Sequence, residues 1–506
     1  MLESRAAGLG GILKRLRLEE ELPLTKHWSL DFDSTGRRNS VSTATRSGAF
    51  FFGLLIIATI SSHWWRGAET AESLVPPTEP VPSSLFGLHI HHLNTPTPWP
   101  AVTFGAWRLW DAYAAWPNVE PQKGRWDFSG LDNYVSQAER HHVEILLPLG
   151  LSPRWASSRP GEKSGYSPGN AAEPRDLSDW REYVRQVATR YKGRVHAYEI
   201  WNEPNLSDFF TGRPEQMLEL ARSAYGVLKK VDNTIIVVSP SATSRSGIAW
   251  LDDYLRLGGG AYADVIGFHL YVTPEAPEKM LELGHRLRAV VQENHLDGKP
   301  LWNTEAGWLI ANRLSEVRPQ SSSFSKVLTL EEASAYVARC YVLNWAMGIS
   351  RFYFYSWDSE VGGLTEADGR TLKPPATAYA EIENWLVGAR MLSCLSDRND
   401  TWSCALSRPG YRGWVVWNPR RTAKFMIPQS WPVSQRKNLS GERLPLGSDP
   451  FISIGPAPIL LESELQEGSS GYKLTGAKDA KARLSRAIRL TVGTAAVLGG
   501  AARRQE

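Results

Sequence analysis

Tyr198-Glu-Ile-Trp-Asn-Glu-Pro-Asn205 and Trp302-Asn-Thr-Glu-Ala-Gly307 are the two stretches on which the reading of this chain turns. Each is a β-type run ending in an isolated carboxylate, Glu203 in one and Glu305 in the other. Outward from them, further β-rich runs recur at Leu85–His91, Gly105–Trp110, Val143–Leu149, Thr234–Ser239, Val265–Val272 and Arg351–Trp357. The two starting stretches extend to Val195–Trp201 and Leu301–Glu305. Amphipathic helical patterns separate most of these runs: Leu131–His141, Ser178–Tyr191, Pro214–Lys230, Pro277–Glu293 and Leu330–Met347, with Pro375–Val387 after the last. Eight strands in βα alternation over about 300 residues predict an α/β fold, a (β/α)8 TIM barrel. A doubly wound open sheet is the alternative, weakened because no Gly-rich phosphate loop follows the first strand.

In a barrel of this kind the reactive side chains sit at the C-terminal ends of the strands. Those ends carry His89 and His91, Arg108 and Trp110, Trp155 just past the third strand, Asn202 and Glu203, His269 and Tyr271, Glu305, and Trp357 with Asp358. Two carboxylates on strands four and seven then face one another across a mouth lined by Trp, His, Tyr and Arg. Glycoside cleavage with retention needs such a pair. One carboxylic acid protonates the leaving oxygen, and the other carboxylate attacks the anomeric carbon from roughly 5–5.5 Å away. Glu203 is expected to be the acid/base, its pKa raised by desolvation and by the charge on Glu305. Glu305 is expected to be the nucleophile, kept ionised by Arg108 or Tyr271. Asn202 is placed to hydrogen-bond a sugar 2-hydroxyl, and His91 and Trp155 join it as substrate-binding candidates. Glu199 shares strand parity with Glu203 but lies four residues deeper, where a buried ion pair is expected. Asp111 and Glu120 read as surface or rim groups. No cofactor motif and no metal set is expected.

Arg108-Leu-Trp-Asp111, Trp116-Pro-Asn-Val-Glu-Pro121 and Gly124-Arg-Trp-Asp127 with Leu131-Asp132, taken with the two opening stretches, resemble glycoside hydrolase family 39. The resemblance covers roughly residues 84–390 and loosens to about 462. It implies a retaining glycosidase with Glu203 as acid/base and Glu305 as nucleophile. It also implies that Asn202, His269 and Tyr271 surround the sugar at the cleavage point, with Trp357 as the stacking residue. The family includes β-xylosidases, α-L-iduronidases and bacterial hydrolases of exopolysaccharide. An endo-acting exopolysaccharide hydrolase is the reading this architecture favours, and an exo-acting β-xylosidase-like enzyme is the alternative.

The architecture in question begins with a charge-free stretch between Ser47 and Trp65, preceded by Arg37, Arg38 and Arg46 and closed by Trp64-Trp65-Arg66. Its length matches the roughly 17–25 residues that span a bilayer, so 1–46 is read as a polar segment and 47–65 as a transmembrane anchor. A cleaved signal peptide competes, without a clear small-x-small site. Residues 66–83 read as a Pro-rich linker, 84–388 as the barrel, 389–465 as a small β-sandwich lobe, and 466–506 as a tail with a weak helix at Ala480–Leu498. The catalytic part is thereby expected outside the cytoplasm, periplasmic or extracellular. The 57 Lys+Arg against 53 Asp+Glu leave a net charge of +4, which offers no basic stripe for nucleic acid. The 21 Trp and 17 Tyr fit either a large aromatic core or sugar-stacking surfaces. Cys340, Cys394 and Cys404 are too few for a disulfide scaffold, although Cys394 and Cys404 flank a turn that a disulfide would bridge. Two rivals remain: a metal-dependent hydrolase built on His89, His91, His269 and Asp358, and a non-catalytic carbohydrate-binding protein.

Overall fold

The computed structural model describes residues 72–463 apart from 94, 96 and 315–324. The expected anchor 47–65, the polar segment 1–46 and the tail with Ala480–Leu498 lie outside the described residues. Among the described residues no helix is long and apolar enough to cross a membrane.

Eight parallel strands form the barrel: β1 (Phe86–Leu88), β2 (Ala106–Arg108), β3 (Glu144–Leu149), β4 (Ala197–Ile200), β5 (Ile236–Val238), β6 (Ile266–His269), β7 (Leu301–Ala306) and β8 (Ile349–Phe354). They are hydrogen-bonded in the order β5-β4-β3-β2-β1-β8-β7-β6. The ring closes where Val238 bridges Val265 and the Ser239 N–H donates to the Val265 carbonyl at 2.9 Å. Helices α1 (Ser129–Arg140), α2 (Leu177–Arg190), α3 (Pro214–Val231), α4 (Ser244–Arg256), α5 (Met280–Glu293), α6 (Leu330–Ala346) and α7 (Pro374–Leu386) follow the strands. The α4 helix is absent from the sequence expectation because its first turn, Ser244-Arg-Ser-Gly247, has the composition of a loop. By contrast α6 is marked at its start by a capping box. The Thr329 hydroxyl accepts the Glu332 N–H at 3.1 Å, and the Glu332 carboxylate accepts the Thr329 N–H at 3.0 Å.

The barrel interior is packed below the mouth. Ala106, Leu146, Ala197, Val238, Val265, Trp302 and Tyr353 form their own buried cluster, the two alanines making room for the large rings. Polar groups begin one layer higher, at Arg108, Glu199 and Glu305. This layering fixes the depth of the site.

The C-terminal part is β-rich. Strands β9 (Arg390–Ser396), β10 (Trp402–Arg408), β11 (Tyr411–Trp417), β13 (Gln435–Lys437), β14 (Arg443–Pro445) and β16 (Ile459–Glu462) join one sheet, whose outer edge is Ser73–Leu74. The antiparallel pair β12 (Ala423–Met426) and β15 (Phe451–Ile454) covers it through Ile452 and Ile454 against Val416 and Leu461. Cys394 and Cys404 stand directly opposite on β9 and β10 and are disulfide-bonded. Glu278 fastens this part to the barrel, accepting from the Arg339 guanidinium at 3.0 Å and the Trp417 indole at 2.9 Å.

One expectation is corrected here. The Pro-rich stretch is not a free spacer from residue 72 onward. Ser73 and Leu74 pair with Leu395 and Cys394, and Val81 is buried while exchanging backbone hydrogen bonds with Ala389 and Gly388. Proline bars a segment from the middle of a sheet, but it leaves a two-residue strand free to cap an edge.

Candidate active site

Glu305 owes its position to a β-bulge. Along β7 and β8, Asn303 pairs with Phe352, and Ala306 with Phe354, so β7 takes three steps where β8 takes two. Trp302 faces the barrel interior, and strict alternation would turn a residue three places on to the outside. The extra residue reverses that and aims Glu305 inward. Gly307 is needed two residues later, because a Cβ there would meet the Tyr355 carbonyl oxygen at 1.9 Å. Glu305 is 4% exposed. Its Oε2 accepts from Arg108 Nη1 at 2.8 Å, and its Oε1 accepts from the Tyr271 hydroxyl at 3.0 Å.

Glu203 is delivered differently. Strand β4 ends at Ile200, and both Trp201 (φ 65°) and Glu203 (φ 42°) adopt the left-handed region that non-glycine residues seldom enter. The Trp201 indole donates to the Phe209 carbonyl at 2.8 Å and the Glu203 N–H donates to the Ser241 carbonyl at 2.9 Å, which hold the turn. Glu203 Oε1 lies 3.1 Å from His269 Nδ1. One atom from each of Glu203, His269 and Glu305 lies within 4.8 Å of the others. The two carboxylates are therefore buried neighbours.

Arg108 organises the floor. Its Nε donates to Glu199 at 2.6 Å, Nη1 to Glu305, and Nη2 to Asn202 Oδ1 at 2.7 Å. Glu199 is thus a fully buried ion-pair partner, away from the reacting edge. Burial works against the Arg108 charge, but the Glu199 and Glu305 carboxylates outweigh it and hold the guanidinium firmly protonated. Burial and then the Arg108 charge push His89 well below the ordinary histidine range. His89 is therefore neutral. Its Nε2 accepts from Arg108 at 3.1 Å while Nδ1 donates to the Phe354 carbonyl at 3.3 Å. Asn202, its oxygen taken by Arg108, keeps a buried Nδ2 without a protein partner.

Burial raises the Glu305 carboxyl above the ordinary glutamate range. His269 and Arg108 oppose that rise, and the charge on Glu203 adds to it. Both expected donors, Arg108 and Tyr271, bond Glu305, yet its carboxyl still lies above the ordinary range. Removal from water outweighs its two good donors.

Asn202, His269, Tyr271 and Arg108 are thus brought to the pair, and His91 lies close by, with its ring 6.4 Å from His89. Trp155 packs against the loop after β2. Its indole donates to the Glu120 carbonyl at 3.0 Å, edge-on to Trp116 and beneath Lys123. Trp357 is 2% exposed and packs in the main hydrophobic cluster. The β8 aromatic that stands against His89 and His91 is Tyr355, at 5.1 and 4.9 Å. Sequence reasoning missed Tyr355, although its place two residues past Tyr353 on the inward side was a usable signal.

Among the described residues, Glu203, His269 and Glu305 form the one group of three able to hold a cation. Of the other residues expected in the metal set of a metal-dependent hydrolase, Asp358 is already occupied by backbone and hydroxyl donors. The Asp358 carboxylate accepts the His91 and His92 N–H groups at 2.8 and 2.9 Å and the Thr97 hydroxyl at 2.8 Å.

Residues 105–308, spanning β2 through the end of β7, match the family model described as Glycosyl hydrolases family 39. A β-xylosidase of Caldicellulosiruptor saccharolyticus is 28% identical over 190 residues, 32% of this chain and 38% of that protein. A β-xylosidase of Geobacillus stearothermophilus is 24% identical over 207 residues, 36% of this chain and 40% of that protein. The chain thus matches about two fifths of these relatives' length. A family 39 glycoside hydrolase from Bacteroides cellulosilyticus WH2 superposes with a TM-score of 0.61 at 20% identity, over 76% of this chain and 81% of that one. A monomeric β-xylosidase from Caulobacter crescentus CB15 gives 0.55 at 16% identity, over 77% and 97%. These two structural likenesses show the fold.

Proposed function

We propose that this chain, whose segment 105–308 belongs to glycosyl hydrolase family 39, is a retaining glycoside hydrolase. The observation that carries the reading is the buried pair Glu203 and Glu305, with carboxylate oxygens within 4.8 Å of each other. That proximity fits the roughly 5–5.5 Å carboxyl separation of retaining enzymes better than the roughly 6.5–9.5 Å of inverting ones. Glu305 attacks the anomeric carbon as the glycosidic C–O bond breaks and the leaving oxygen takes the proton of Glu203. Glu203, now a carboxylate, takes a proton from water as that water's oxygen displaces Glu305 and restores both groups. The free Nδ2 of Asn202 donates to the sugar 2-hydroxyl, and His269 sets the orientation of Glu203.

The relatives named β-xylosidase support an exo-acting enzyme on β-xylosides or similar short chains. Endo cleavage of an exopolysaccharide is the second reading, supported by the anchor-like stretch 47–65. The same stretch and the Cys394–Cys404 disulfide support work outside the cytoplasm. The full chain, incubated with aryl β-xyloside and with long polymers, tests these readings by time-resolved NMR. The expected first product keeps the substrate's anomeric configuration; an inverted first product overturns the double displacement. Fragmentation of polymers without aryl release would replace the exo reading by the endo one.

A further inference from the structure

The geometry points to Asp111 as a sugar-reading residue: its carboxylate, with His91 Nε2, forms an all-acceptor wall that binds a ring hydroxyl other than the one at C2. This rests on the glycosidase reading above and adds a specificity determinant to it. Asp111 follows Arg108 by three residues, and its own backbone is left-handed (φ 58°). Two separate parts of the barrel mouth meet on it. The Tyr355 hydroxyl, arriving from the end of β8, donates to Oδ2 at 2.8 Å. The Tyr166 hydroxyl, from the long loop after β3, donates to Oδ1. Tyr166 is itself seated on Trp110 and Phe209, with ring centres 5.9 and 5.8 Å away.

That loop is braced. Arg159 donates to both oxygens of Glu173 at 2.7 and 2.8 Å and to the Thr211 hydroxyl at 2.8 Å, while the Gly165 N–H donates to the Asp208 carbonyl at 2.8 Å. The phenol beside Asp111 is therefore held by scaffold. Two phenols occupy one lone pair on each Asp111 oxygen, and a carboxylate offers about four such sites. Acceptor capacity remains.

His91 supplies the second acceptor. Burial lowers its pKa, so the ring is neutral. Its Nδ1 side faces Asp358 at 4.0 Å, whereas Nε2 is buried with no hydrogen-bond partner in the protein. Tyr355 links the two, its ring 4.9 Å from the His91 ring and its hydroxyl bonded to Asp111. The two sides of the site thus differ in kind: Asn202 presents an N–H donor, while His91 and Asp111 present lone pairs. A hydroxyl on the second side must act as donor. A site built to bond a hydroxyl discriminates strongly against the analogue that lacks it, since its buried acceptors are then left unmet.

The test uses the full chain, the aryl glycoside it hydrolyses fastest, and the 3-deoxy and 4-deoxy forms of that substrate. Asp111→Ala is expected to lower kcat/KM on the parent glycoside about a hundredfold, yet change one deoxy analogue less than about threefold. Tyr166→Phe, which removes one exposed hydroxyl and no packing, is expected to repeat the pattern at about a tenth of the size. Equal losses by Asp111→Ala on all three substrates, with Tyr166→Phe also indiscriminate, would overturn the assignment. If the unmutated chain cleaves no glycoside, the parent reading fails and takes this one with it, an outcome distinct from equal losses.

Discussion

The Glu203 corner and the Glu305 corner carry the same side chain to the same cavity by opposite means. Glu305 stands on a strand, re-aimed by one extra residue, and is gripped by a guanidinium and a phenol. Glu203 stands beyond a strand, on a left-handed turn, beside an imidazole. Grip by a fixed cation suits a group that must act as an anion. A neighbour able to carry a proton suits a group that gives one away and takes it back. On the proposed mechanism, that difference in scaffold, more than in sequence, separates two equal carboxylates into two roles.

The largest effect should come from breaking the Glu305 corner. Glu305→Ala is expected to lower kcat roughly ten-thousandfold or more, with azide partly restoring turnover and giving an inverted glycosyl azide. Equal activity in the variant would dismiss the site. Glu203→Gln should cost roughly a hundred- to ten-thousandfold, and far less on substrates whose leaving group needs no proton. A loss that ignores leaving-group acidity would mean that Glu203 is not the acid.

Tyr271→Phe sharpens the contrast at about tenfold. Glu305 acts as an anion, and burial already lifts its pKa. Losing a donor to that anion lifts it further, so the acid limb of the kcat/KM profile should move to higher pH. An unmoved limb would separate Tyr271 from the nucleophile.

The smallest effect concerns a carboxylate buried without a cation. Glu383 on α7 has the Thr103 hydroxyl as its donor, and burial pushes it up to about 7. A raised folded-state pKa contributes stability that is full below the ordinary value of 4.5 and is lost as pH rises through about 7. The Tm of the parent chain should therefore fall by a few degrees relative to Glu383→Gln between about pH 5 and pH 8.5. Parallel Tm curves would refute it.

Much of this was legible in the chain. The eight β-rich runs and the two Trp-Asn contexts placed the barrel, the Glu203–Glu305 pair and the Arg108 contact, because strand periodicity and turn residues are local properties. What escaped depends on neighbours distant in sequence. The β7 bulge exists only against β8, so the parity of Glu305 has no local signature. The Trp155 indole bonds the Glu120 carbonyl, 35 residues away, a contact with no local signature. Asp111 reads as rim until Tyr166 and Tyr355, 55 and 244 residues away, close on it. The α4 helix was hidden by a loop-like first turn.

The edge strand Ser73–Leu74 has a mechanical consequence. Tension arriving along the chain at residue 72 meets Glu72 and Ser396, each donating a backbone N–H to the other residue, and then the paired Ser73 and Leu74. Leu74 pairs with Cys394, itself bonded to Cys404, so the pull passes into a cross-linked sheet as shear. Val81, clamped to Gly388 and Ala389, takes what remains before β1 begins. Force on the leading segment therefore loads the cross-linked C-terminal sheet before it reaches β1.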